Sequence, residues 1–264
     1  MDQIEVAGLR IAFERRGEGP PLVLLHGWPS NSREWRRQLD ALSVEFTVVA
    51  WDAPGAGQSS DPPDTFRLAD WADCLAAFID SLRLERPHVA GLSFGGGLAL
   101  ELYRRHPAVP RTLILTSAYA GWAGSLPAEV VRERLELMLR NCALPSHWWA
   151  PAWIKTLLSE DASDDMVAEL MLIASEIHPA GTRVAMRAFA EADLRDVLPR
   201  VDVPTLLLYG DSDVRAPRDV WEPLHSGIRS SKLVLLPGVG HMIDIEAAER
   251  FNTEVRAFLR AIQH

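Results

Sequence analysis

The stretch Gly91-Leu92-Ser93-Phe94-Gly95 sets one hydroxyl between the apolar run "HVAGL" and the helix-forming "GGLALELYRRH". A serine hydroxyl is a weak nucleophile at neutral pH, so acyl-transfer chemistry on Ser93 needs a base within hydrogen-bond reach and a third group to orient that base. "LLPGVGHMIDIE" offers His241 in a Gly-flanked loop, and "LLLYGDSDVRAP" offers Asp211 and Asp213. Ser, Asp, His is one of the chain orders in which such a triad occurs. Asp213 is the expected carboxylate, because Asp211 directly follows Gly210 and suits hydrogen bonds to the N–H groups of its own turn.

The remaining histidines fit other roles. His88 opens a strand, His106 ends a helix before Pro107, His225 lies in a helix, His147 and His178 fall in a helical region, and His264 is terminal. His26 reads as structural, since its ring would have to leave a strand end to reach Ser93.

G-x-S-x-G after a strand and before a helix is the context of a sharp turn that presents the serine above the sheet. Such a turn strains its central residue, and side chains at positions 91 and 95 would collide with the folded-back backbone. The turn also aims free N–H groups and the positive end of a helix at whatever Ser93 attacks. An oxyanion intermediate needs two donors. The Phe94 N–H is the expected first, and the Trp28 N–H, after Gly27 in "LLHGWPSNS", the expected second.

These residues must be held by strands and helices, and the patterning supplies both. "QIEVAG" and "RIAFERRG" alternate apolar and polar residues across Gly8, as an antiparallel hairpin with one wet face does. "PLVLLHG", "FTVVAWD", "PHVAGLS", "RTLILTS", "VPTLLLYG" and "KLVLLPG" are continuous apolar runs, the pattern of strands buried on both faces. Between them "SREWRRQLDALS", "RLADWADCLAAFIDSL" and "IEAAERFNTEVRAFLRAI" repeat apolar residues three or four apart, as amphipathic helices do. Alternating β and α elements predict a mostly parallel sheet with helices on both faces and a ligand site at the carboxyl ends of the strands. From about Ala120 to Ala190 only helical stretches occur, among them "SDDMVAELMLIASEI" with Ser163 as its N-cap, so this segment reads as an inserted cap. Trp122, Met138, Trp148, Trp149 and Trp153 are candidates both for a pocket lining and for core packing. Arg132, Arg134 and Arg140 read as a solvated helix face, with a substrate carboxylate as the alternative partner.

Composition excludes several classes. The chain has 264 residues, 48% hydrophobic and 24% charged, which suits one large globular domain. A net charge of -9 gives no basic field for nucleic acid. Two cysteines, Cys74 and Cys142, lie too far apart in sequence for a CxxC site and read as reduced core residues. No apolar run approaches a bilayer span and the N-terminus lacks a signal-peptide pattern, so no membrane partner and a cytoplasmic location are expected.

"HGWP", "WDAPGAGQS", "GLSFGG", "YGDSD" and "GVGH" stand in one order at fixed intervals, and through them the chain resembles the α/β-hydrolase superfamily over nearly its whole length. It is most similar there to small bacterial capped esterases and 3-oxoadipate enol-lactonase-like hydrolases. The resemblance implies an α/β-hydrolase fold: hairpin and apolar runs together give an eight-stranded, mostly parallel sheet, with residues 1–119 and 191–264 as core and 120–190 as helical cap. It makes Asp52 a structural turn residue. It implies a serine hydrolase that cleaves a small carboxylic ester or lactone through an acyl-enzyme on Ser93, with His241 as base, Asp213 behind it, and Trp28 and Phe94 N–H groups as the oxyanion hole. No cofactor and no metal are expected, and a homodimer is left open. Haloalkane dehalogenases and epoxide hydrolases carry aspartate in place of Ser93, which argues against both. A non-haem haloperoxidase or perhydrolase, a C–C bond hydrolase and a slow-hydrolase ligand receptor are the alternatives on the same triad.

Overall fold

The computed structural model describes residues 1–262; His264 lies outside them. The chain opens with the hairpin β1 (Asp2–Val6) and β2 (Leu9–Arg16), then β3 (Pro21–Leu25), a 3₁₀ turn (Ser32–Trp35) running into α1 (Arg36–Leu42), β4 (Thr47–Trp51), α2 (Leu68–Ser81), β5 (His88–Leu92), α3 (Phe94–Arg105) and β6 (Thr112–Thr116). Five helices follow without a strand: α4 (Trp122–Ser125), α5 (Ala128–Asn141), α6 (Ser146–Ile154), α7 (Asp164–Ser175) and α8 (Pro179–Glu191). The chain then returns to the sheet with β7 (Thr205–Gly210), α9 (Arg218–Gly227), β8 (Ser231–Leu236), α10 (Ile243–Glu246) and α11 (Ala248–Ile262).

The eight strands form one sheet in the order β1-β2-β4-β3-β5-β6-β7-β8. β1 and β2 pair antiparallel, β2 joins β4 antiparallel, and every pair from β4 to β8 is parallel. Continuous apolar strands are what two covered faces demand. Val23, Leu25, Val49, Leu113 and Leu115 pack into one core with α2 and α3, while Leu22, Leu24, Val48 and Ile114 pack into the other with α1 and α11. A one-residue slip of any of these strands would exchange the two cores.

Two expectations need correction. β8 is an edge strand, and Ser231–Leu235 are half-exposed or exposed instead of buried on both faces, because the sheet ends there and a strand neighbours it on one side only. The C-terminal helical pattern is interrupted at Ala247 (φ -129°, ψ 43°), which separates α10 from α11. Ser163 caps α7 as expected, its hydroxyl accepting from the Met166 N–H. Cys74 and Cys142 are both free and buried, and burial pushes the Cys74 thiol up to about 12. Among the described residues no helix is long and apolar enough to cross a membrane.

Candidate functional site

Ser93 is the residue between β5 and α3, and its backbone sits at φ 51°, ψ -108°, a conformation that costs on the order of 1–3 kcal/mol for a residue with a Cβ. The bend survives because its neighbours leave room. A Cβ on Gly91 would overlap the Gly95 carbonyl, and one on Gly95 would overlap the Leu25 carbonyl of β3. Both clashes are with backbone, which cannot swing aside. Gly95→Ala is therefore expected to destabilise the fold by at least about 3 kcal/mol, read as a drop in the urea midpoint; an unchanged midpoint would refute the packing argument.

Phe94 is the first residue of α3, so its N–H has no acceptor inside the helix. The other donor expected from the sequence, the Trp28 N–H, belongs to the turn after β3. There the His26 ring lies with Nδ1 2.6 Å from the Gly27 carbonyl oxygen, while Nε2 is 3.0 Å from the Ala53 N–H. An N–H facing Nε2 makes that nitrogen the acceptor and leaves the proton on Nδ1, which donates to Gly27. Burial lowers the His26 pKa and keeps the ring in this neutral form. Because C=O and N–H of one trans peptide point opposite ways, fixing the Gly27 carbonyl on His26 turns the Trp28 N–H away from that ring. His26 is structural, as the sequence suggested, and it acts on the loop that carries Trp28.

His241 and Asp213 meet at the carboxyl ends of β8 and β7. Nδ1 of His241 lies 2.7 Å from Oδ2 of Asp213, and both residues are buried. The other oxygen, Oδ1, accepts the N–H groups of Arg215 at 2.8 Å and Ala216 at 2.9 Å. Burial would push the Asp213 carboxyl up, but the His241 charge and hydrogen bond and these two N–H groups outweigh it and hold the pKa below the usual value. The His241 backbone is pinned as well: its N–H donates to the Leu157 carbonyl at 2.7 Å and its carbonyl accepts from the Ser117 hydroxyl at 2.9 Å. Among the described residues Asp211 accepts no backbone N–H of its own turn, against expectation; its Oδ1 accepts the Ser212 hydroxyl at 3.1 Å and the Gly238 N–H beyond β8 at 2.7 Å. Asp52 accepts from the Ser32 and Gln58 N–H groups, each at 2.8 Å, and so holds its turn as expected.

Ser93 and His241 line one cavity of about 560 Å³, counting its open mouth, together with Trp28 and Phe94. Among the described residues no hydrogen bond joins the Ser93 hydroxyl to His241. Such bonds are commonly long when no substrate is bound and tighten in the complex. Of the aromatic residues singled out in sequence, Trp122 and Trp153 line the cavity. Met138 and Trp149 are buried in the core, and Trp148 is 69% exposed. The rest of the apolar wall, including Met186 and Phe189 of α8 and Ile173 of α7, could not be read from helical spacing, since a core-facing and a cavity-facing residue share one pattern.

Sequence reasoning also missed a buried carboxyl group in this wall. Glu34 is fully buried, lines the cavity, and accepts the Gly27 N–H on Oε1 at 2.9 Å, while Oε2 has no partner among the described residues. Burial, then the nearby Asp244, raise the Glu34 pKa well above the usual range. Asp244 itself is pushed up to about 7 by burial, which outweighs neighbouring backbone N–H groups and the Arg37 charge. The unfolded chain ionises an aspartate near ~3.9, so between about pH 4 and about pH 7 the unfolded state loses a proton that the folded state keeps, and stability falls as pH rises. Asp244→Asn should remove this slope. Its stability relative to the parent chain, measured by urea unfolding, is expected to rise from pH 4 to pH 7 and stay level above; a pH-independent difference would contradict the assignment.

A family model described as alpha/beta hydrolase fold matches residues 20–140. Over 251 residues the chain is 30% identical to the AB hydrolase superfamily protein YisY of Bacillus subtilis (strain 168), covering 92% of each chain. The chain belongs to the α/β hydrolases. This α/β hydrolase is also 30% identical, over 247 residues, to a pimeloyl-[acyl-carrier protein] methyl ester esterase of Neisseria meningitidis, with 91% of this chain and 94% of that protein covered. Among solved structures it is similar to a thermophilic esterase from Thermogutta terrifontis with malate bound, at 27% identity and a TM-score of 0.92, with 100% of both chains covered. The eight-stranded sheet and its order are thus those of a hydrolase fold, and the cavity lies where that fold carries its ligands, outside the carboxyl ends of the strands.

Proposed function

We propose that this α/β hydrolase is a serine hydrolase acting on a small carboxylic ester or lactone, with Ser93 as nucleophile, His241 as base and Asp213 as the group that orients it. The observation that carries the reading is the buried 2.7 Å His241–Asp213 contact at the wall of the same cavity as Ser93. An imidazole held this way presents Nε2 to the cavity as proton acceptor. Ser93 Oγ attacks the carbonyl carbon, its proton passes to His241 Nε2, and the negative oxygen that forms is met by the N–H groups of Phe94 and Trp28. Collapse of that intermediate expels the alcohol, protonated by His241, and leaves an acyl-enzyme. Water then repeats the sequence and releases the acid.

The similarity to two esterases supports ester cleavage over the other reactions open to such a triad. Residues 120–190 act in this reading as a cap, since Trp122, Trp153, Leu157, Ile173, Met186 and Phe189 complete the wall above Ser93. A mostly apolar wall suits an apolar acyl group. Initial rates on p-nitrophenyl esters from acetate to decanoate and on several lactones test the proposal, with fluorophosphonate labelling as a second readout. Turnover and labelling that both depend on Ser93 support it. Absence of both from the parent protein would sink it.

A further inference from the structure

Arg215 lines the same cavity. It is half-buried, and its guanidinium donates to the Thr156 hydroxyl at 3.1 Å, between the cavity residues Trp153 and Leu157. No carboxylate lies within ion-pair distance of it among the described residues. Asp213, two positions earlier, makes no direct ion pair with it, because both carboxylate oxygens are bonded to His241 and to backbone N–H groups, and its charge reaches Arg215 only through space. A second guanidinium is bonded to the Arg215 backbone behind the cavity wall. Arg134 of α5 departs from the solvated helix face expected for it: it is half-buried, donates to the Tyr119 hydroxyl at 3.2 Å and to the Arg215 carbonyl at 3.2 Å, and likewise has no carboxylate partner among the described residues. The Tyr119 hydroxyl donates in turn to the Arg215 carbonyl at 2.5 Å.

Charges drawn out of water are normally paired, and two neighbouring cations with no carboxylate in contact are an unfinished arrangement. Burial lowers the Arg215 pKa, Arg134 lowers it further, and Tyr119 and Asp213 oppose this, yet an arginine remains charged at neutral pH. Tyr119 brings no charge of its own, since burial raises its pKa. Glu34, which lines the same cavity, is held back from ionising, since burial raises its pKa well above the usual range. On the side of Arg215 the cavity therefore presents a guanidinium that no carboxylate touches, with Asp213 as the anion that acts on it from a distance, although the chain as a whole is negative at -9. A planar guanidinium fork matches a carboxylate better than a rounder anion.

We infer that the site takes a substrate bearing a free carboxylate besides its scissile ester or lactone carbonyl, and that Arg215, backed by Arg134, binds that carboxylate. The inference rests on the proposal that the cavity is the hydrolytic site. It predicts that half-esters of dicarboxylic acids, or acyl esters of hydroxy acids, are preferred over their neutral methyl-ester counterparts.

The test compares kcat/KM for monomethyl and dimethyl glutarate, adipate and pimelate, and for butyryl glycolate and its methyl ester. We expect at least one anionic member to be preferred by about tenfold or more. That ratio should fall at least about tenfold in Arg215→Gln, chiefly through KM, fall less in Arg134→Gln, and stay as in the parent in Arg132→Gln, an exposed residue of the same helix. Melting temperatures separate a folding loss from a binding loss, and the parent protein's ratio decides alone if Arg215→Gln does not fold. Ser93-dependent hydrolysis with no anionic preference, or a preference that survives Arg215→Gln, overturns the inference and leaves the proposed function standing. If no ester is turned over, the proposed function is what fails, and calorimetry of glutarate and adipate binding to Ser93→Ala, with and without Arg215→Gln, still decides the anion site: Arg215-dependent binding supports it and absent binding overturns it.

Discussion

Replacing Ser93 by alanine is expected to lower kcat for any hydrolysed ester by about a millionfold, leaving about 10³–10⁴ over the uncatalysed rate. Alanine keeps the Cβ at the strained elbow, so Gly91, Gly95 and the Phe94 N–H stay where they are and only the attacking oxygen is lost. What remains is the contribution of the oxyanion donors and of binding, which cannot replace a covalent intermediate. The measurement is single-turnover hydrolysis of the best ester of the panel, with melting temperature as the control. Stability should change by less than about 1 kcal/mol, because the hydroxyl makes no protein hydrogen bond to be lost among those of the described residues. A variant within tenfold of the parent enzyme would remove Ser93 from the mechanism altogether.

The next largest effect is expected from Asp213→Asn, which should lower kcat by about 10⁴. The geometry says why the loss should be so large for so small a change. One oxygen of Asp213 accepts two backbone N–H groups, from Arg215 and Ala216, and only an oxygen can do so. The asparagine carbonyl must take that place, which turns its NH₂ toward His241 Nδ1. Nδ1 then has to accept, the ring proton moves to Nε2, and the nitrogen that should take the serine proton already carries one. Substrate binding does not pass through this contact, so KM should change little. Steady-state kinetics on one ester gives both constants; a kcat within tenfold of the parent enzyme would show that Asp213 does not set the tautomer.

Much of the candidate site was legible in the sequence because its parts are written locally. A G-x-S-x-G between an apolar run and a helix marks a bend whose glycines are required by backbone crowding a few residues away, and the structure has those crowded contacts at Gly91 and Gly95. His241 and Asp213 follow β8 and β7 directly, where a parallel sheet gathers its ligand residues. Asp211 reads in sequence as accepting N–H groups of its own turn because nothing in "GDSD" tells which of two neighbouring loops a carboxylate will face; the N–H it accepts is that of Gly238. β8 reads as fully buried for a similar reason, since apolar content records how a strand packs on average and not whether the sheet ends there.

What the sequence determined by itself is the order of strands and helices, the strained serine turn and the types of residue at the strand ends, because each follows from periodicity or crowding within a short stretch of chain. Only the tertiary structure decided that Glu34 lies buried in the cavity wall near Asp244, 210 positions later in the chain. Only it decided that Trp148 faces water while Trp153 faces the cavity, and that Arg134 leaves its solvated face to join Arg215. These are meetings between distant segments, and their energies depend on burial and on charge in a low-dielectric interior, neither of which a residue carries until the sheet has closed around it.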